Sequence, residues 1–80
     1  KVKAAEATRP LRNALAGIDA RLAKLGSEKT EIEAALSEPD ASADAYAEMG
    51  RRLAHAAAEV AALEERWIEL QTELEALQSA

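Results

Sequence analysis

Six residues, Ser37-Glu38-Pro39-Asp40-Ala41-Ser42, decide how this chain folds, because they interrupt two long apolar repeats. Upstream of them, Leu11, Leu15, Ile18, Leu22, Leu25, Ile32 and Leu36 recur at alternating steps of four and three, with Lys29 at the one vacant position. Downstream, Tyr46, Met49, Leu53, Ala56, Val60, Leu63, Trp67, Leu70, Leu74 and Leu77 keep the same steps without a gap. Apolar residues spaced 3.5 apart form one narrow stripe along a helix, and such a stripe is buried best against another. Pro39 lacks the N–H that a continuing helix requires and pushes Glu38 out of the α region. Ser42 or Asp44 then supplies a cap for a second helix. So short a break returns the second helix antiparallel to the first. The expected fold is all-α, a two-helix antiparallel coiled-coil hairpin. Arm 1 spans about 9–36, the turn 37–42 and arm 2 about 43–79, each arm roughly 45 Å long at 1.5 Å per residue.

Composition agrees with this and excludes much else. The 80 residues hold no Cys or Phe, one Trp, one Tyr and one His, while hydrophobic residues, mostly Ala and Leu, make up 49%. Without thiols and with a single imidazole, neither a disulfide scaffold nor a structural zinc site can be assembled. A β-sandwich or barrel calls for β-branched and aromatic residues at period two. No apolar run is long enough to span a bilayer and no signal-peptide pattern opens the chain. The chain opens at Lys1 rather than Met, which points to a piece of something longer.

Three local signals modify the hairpin. Pro10 fits a first helical turn capped by Thr8 or Arg9, so residues 1–8 read as a linker or a kinked helix extension. Gly26-Ser27 is capable of ending one helix and capping another, yet the heptad phase runs straight through it, which favours a continuous, locally weakened helix. Gly17 and Gly50 lie off the stripe and each costs about 1 kcal/mol relative to Ala.

The net charge of −5 is unevenly distributed. Residues 1–24 carry Lys1, Lys3, Arg9, Arg12, Arg21 and Lys24 against Glu6 and Asp19, whereas residues 59–80 carry six glutamates against Arg66. An antiparallel hairpin lays these segments side by side. Charge also selects the register. Centring the hairpin near Pro39 brings Arg21 to Glu59 and Glu28 to Arg52, places Trp67 near Leu11 and Ile18, and sets Lys29 near Met49. A slip of one heptad would instead oppose Arg21 to Arg66.

Candidate sites are few. His55 falls off the stripe among alanines and reads as an exposed helical histidine. Glu38, Asp40 and Asp44 cluster at the tip, where capping and the helix macrodipole already favour acids; the alternative is an acidic tip that carries a magnesium ion into a polymerase. Lys1, Lys3, Arg9, Arg12, Arg51 and Arg52 are the candidates for phosphate contact, although their heptad positions scatter around the helices. Ile68 is the one large apolar residue clearly off the seam in arm 2, a candidate docking spot. No glycine-rich phosphate loop, Ser/His/Asp set or cysteine nucleophile is present, so no catalysis, cofactor or metal is expected in this segment.

The stretch Leu36-Ser37-Glu38-Pro39-Asp40, the following Tyr46, and Ala58-Glu59-Val60-Ala61-Ala62-Leu63-Glu64-Glu65-Arg66-Trp67-Ile68-Glu69-Leu70 together resemble the C-terminal coiled-coil domain of ABC-F ATPases of the Uup type. Arg9-Pro10-Leu11-Arg12 resembles the basic, proline-containing segment that precedes the first arm in that family. The turn departs from its commoner Asp-Pro-x-x-Tyr pattern. The resemblance implies that ATP and magnesium are handled by two cassettes upstream, outside this chain, and that the domain is a cytoplasmic accessory arm positioning them on DNA or ribosomal RNA. Other readings are a structural or oligomerising hairpin, the acidic-tip factor, and a tRNA-bracing arm like that of valyl-tRNA synthetases.

Overall fold

A computed structural model describes the backbone of residues 2–79 and the side chains of residues 5–79. It contains two helices, α1 (Val2–Leu36) and α2 (Ala43–Ser79), packed along each other in a rod measuring 60 × 15 × 13 Å. Leu15 and Ile18 of α1 meet Leu70 and Leu74 of α2, and Arg21 bonds Glu59, so the helices run antiparallel. Both ends of the described chain therefore lie together, with the turn at the far end of the rod.

The seam follows the heptad steps. Leu15, Ile18, Leu25, Ile32, Ala56, Leu70 and Leu74 are buried. Leu11, Leu22, Leu63 and Trp67 pack against the cluster of Leu15, Ile18, Leu70 and Leu74, which places Trp67 with Leu11 and Ile18 as the register requires. Lys29 is half-buried at the vacant seam position, as a side chain that buries its stem and keeps its ammonium in water would be. Each fully buried Leu or Ile contributes about 1.5–3 kcal/mol, and with only one layer of side chains between two helices these contacts are the main source of stability.

The turn is closed from both sides. The α1 end tightens through Ser37 N to Ala34 O and Glu38 N to Ala35 O, both 3.2 Å. Of the two candidate caps, Ser42 serves: its Oγ accepts from Ala45 N at 3.1 Å, and Asp44 lies within the first turn of α2. Tyr46 sits on the half-buried seam and its hydroxyl donates to the Glu38 carbonyl, tying the first turn of α2 across to the end of α1.

At the open end α1 runs through Pro10. Pro10 does not start α1, and neither Thr8 nor Arg9 caps it; the helix is already formed from Val2 and Pro10 lies inside it. Thr8 is 3% exposed and its Oγ1 donates to Ala5 O at 3.1 Å. It occupies the seam position one step before Leu11, so burial holds the turn preceding the proline in helical form. The bond forfeited at Pro10 is the one to the carbonyl of Glu6, an exposed residue whose carbonyl water can serve. Helix α1 also continues through Gly26-Ser27, where Thr30 Oγ1 donates to Gly26 O at 3.0 Å.

Candidate nucleic-acid interface

The described candidate cations fall into two groups. Arg9 and Arg12 are exposed near the open end, and Arg51 and Arg52 are exposed nearer the turn. Measured along the helices from the turn, Arg12 lies roughly 36 Å away and Arg51 roughly 12 Å, so the groups stand about 24 Å apart along the rod. Lys1 and the side chain of Lys3 lie outside the described residues. Heptad position sends the two groups to opposite edges of the hairpin, and they do not merge into one stripe.

Arg51 and Arg52 border a groove of about 460 Å³ that runs between the helices over a floor of Leu25, Ile32 and Ala56. Its walls carry Arg21, Glu28, Glu48, His55 and Glu59 as well, so cations and carboxylates nearly balance. Arg21 holds Glu59 with a two-point bond, Nε to Oε2 at 2.6 Å and Nη2 to Oε1 at 2.8 Å. That pair fixes the register expected from the sequence. Its hydrogen bonds hold the Glu59 carboxyl below the ordinary glutamate value and raise the Arg21 guanidinium further, against a desolvation cost of opposite sign in each. Arg51 turns to its own helix, Nη2 to Glu48 Oε2 at 2.8 Å. Arg66 does the same with Glu69 at 3.1 Å. The second cross-helix pair expected, Glu28 with Arg52, shares the groove but forms no ion pair within 4.0 Å. A phosphate approaching this groove meets Arg52 with its charge unspent, whereas Arg51 must leave Glu48.

Elsewhere the candidates are separated. His55 is exposed on the rim of that groove. Glu38, Asp40 and Asp44 are exposed at the turn, and among the described residues no three acidic or imidazole groups converge as a metal site would require. Ile68 is 62% exposed and lines a second groove with Asp19, Leu22, Glu64 and Trp67. Sequence reasoning marked Ile68 but not this groove. The signal was present: the register that pairs Arg21 with Glu59 on one edge sets Asp19 beside Glu64 on the other.

Among the described residues no helix is long and apolar enough to cross a membrane. A protein-family model described as ABC transporter C-terminal domain matches residues 6–72, which takes in most of both helices and the whole turn. No curated protein and no solved structure matches the chain.

Proposed function

The chain belongs to the ABC transporter C-terminal domain family, a C-terminal accessory domain of an ABC protein, and from that premise we propose that it is the stiff arm of a cytoplasmic ABC-F ATPase of the Uup type. The arm positions the ATPase cassettes on nucleic acid, either duplex DNA or ribosomal RNA. ATP and magnesium belong to those cassettes: the three glycines here are scattered singly along the helices and build no phosphate loop. The domain contributes reach and contact, not chemistry.

The observation that carries this reading is the shape together with the family match. A hairpin 60 Å long with both described ends at one extremity projects its turn far from whatever it is joined to. Arg9 and Arg12 then lie near the joined end and Arg51 and Arg52 nearer the turn, two phosphate-contact points on one lever. The negative overall charge of −5 makes those local cations, and not the average field, responsible for any attraction.

Binding to labelled duplex DNA and to ribosomes, each measured across a salt series, tests the proposal. Four phosphate contacts on duplex give a slope near −3.6 in log K against log salt, roughly a 150-fold loss between 50 and 200 mM. Replacing Arg12 or Arg52 with Gln lowers the slope by about 0.9 each. Absent or salt-insensitive binding to both ligands would refute the nucleic-acid role and leave a structural hairpin.

A further inference from the structure

The edge opposite the Arg21–Glu59 pair carries a feature that neither folding nor nucleic-acid contact uses. Leu22, Trp67 and Ile68 line a groove of about 310 Å³ whose rim is Asp19 on α1 and Glu64 on α2. Ile68 is 62% exposed, a large aliphatic group with most of its surface in water. Trp67 reaches the same groove from the seam, where it packs on the buried cluster, so its ring is held in place from behind. Neither Asp19 nor Glu64 has a cation within 4.0 Å among the described residues, and the one ion pair between the helices there, Arg21 with Glu59, lies on the opposite edge. Two like charges flanking an apolar strip are unfavourable in the free hairpin and become favourable once a cation lies between them.

We propose that this groove is a docking site for a basic amphipathic segment of a partner protein, which seats an aliphatic side chain against Trp67 and Ile68 and sets lysine or arginine beside Asp19 and Glu64. The volume is at the bottom of the range for small-molecule pockets, about 300–1,000 Å³, and it lies open between two helices, which suits one or two inserted side chains. A rigid aromatic beside an exposed aliphatic, rimmed by charge, is the arrangement from which interface hot spots are built. Charge decides the occupant. A second copy laid face to face brings the same carboxylates against themselves, and a nucleic acid brings phosphates against them. A basic helix removes the repulsion and covers Ile68 in one step. The contact is small, so affinity lies in the micromolar range expected of transient encounters.

Trp67 is the only tryptophan in the chain and reports on the site directly. The probe is an amidated peptide of roughly 15 residues, about the shortest that holds helix, with leucines in heptad positions and lysines elsewhere; its counterpart has glutamates for the lysines. Titrating the lysine peptide into the chain should shift Trp67 emission to the blue with saturation, and the glutamate peptide should leave it unchanged. Ile68→Ala should weaken binding about tenfold, as loss of a hot-spot contact does. Asp19→Asn with Glu64→Gln should weaken it about fivefold, in line with two exposed ion pairs. The same change of charge at Glu31→Gln with Glu65→Gln, outside the groove, should stay within about twofold. All five positions are exposed, so the variants keep the hairpin, which circular dichroism verifies. The proposal is overturned by a non-saturating response, by equal weakening in the Glu31/Glu65 variant, or by sedimentation showing a self-associated chain that Ile68→Ala converts to monomer. Salt-dependent binding of duplex DNA by the arginines should be unaffected by Ile68→Ala, so failure here and failure of the nucleic-acid reading are separate results.

Discussion

Leu25→Ala tests whether the single-layer seam carries the stability of this fold. Leu25 is 1% exposed, the most completely buried large side chain among the described residues, and shares its groove floor with Ile32 and Ala56. The substitution removes three buried carbons, worth roughly 2.4 kcal/mol at about 0.8 kcal/mol each. Alanine is the better helix former, so helix propensity contributes no loss. Buried Leu→Ala changes cost about 2–5 kcal/mol, the upper end where a rigid surround preserves the cavity. Here the seam is one layer deep and open along both edges, so the groove walls can settle into the gap, and about 2–3 kcal/mol is expected. For a domain of this size about 4–8 °C is lost per kcal/mol, which places the fall in Tm at roughly 10–20 °C. Urea unfolding followed by circular dichroism should show a lower midpoint at unchanged slope. The comparison is Ile68→Ala, an aliphatic residue 62% exposed on the same hairpin, with an expected change within about 0.5 kcal/mol. Measurement at two protein concentrations separates folding from association. Should Leu25→Ala leave no folded baseline, Leu25→Met replaces it at an expected cost under about 1.5 kcal/mol. Equal losses at Leu25 and Ile68, or none at either, would refute a seam-dominated hairpin.

Three further outcomes follow from named contacts. Glu59 titrates below its ordinary value of 4.5 because Arg21 bonds its charged form, so its stabilising contribution is complete above that value and is lost as pH falls from there through the lowered folded value; Tm should drop across that acid window more in the native chain than in Glu59→Gln, and parallel profiles would deny the pair a role. Gly17 and Gly50 are helical without positive φ, and a Cβ at either meets nothing within 4 Å; Gly→Ala at each should stabilise by about 0.5–1 kcal/mol, read as a rise in Tm. Tyr46→Phe removes the hydroxyl that holds the Glu38 carbonyl, and Ser42→Ala removes the cap on Ala45 N; each should cost about 1 kcal/mol and speed amide exchange at the turn before the seam.

Why the hairpin was legible and its faces were not comes down to what heptad spacing encodes. Alternating steps of three and four state which side of each helix is buried, and one proline-containing break states where the direction reverses; together they locate seam and turn. Register needed a second signal, and Arg21 with Glu59 supplied it because opposite charges were available at matching depths. The same reasoning applied to Glu28 and Arg52 gave proximity without a bond, since exposed side chains of that length have water as an equal partner. Thr8 reads as a cap because of its hydroxyl, although its spacing from Leu11 and Leu15 is that of the seam; a side-chain bond to its own helix at Ala5 removes the cost of burying that hydroxyl. Pro10 reads as a helix start for the same local reason, and the buried turn before it prevails over propensity. The cations remained scattered because no spacing rule forces them together. Composition is what separates the two edges. One edge joins the helices through Arg21 and Glu59 and sets its remaining carboxylates among arginines, and the other leaves Asp19, Glu64 and Ile68 without a cation beside Trp67. A surface that is unmatched within its own chain is the one on which a partner gains most, which makes the acidic edge, as much as the arginines, the place to measure what this arm touches.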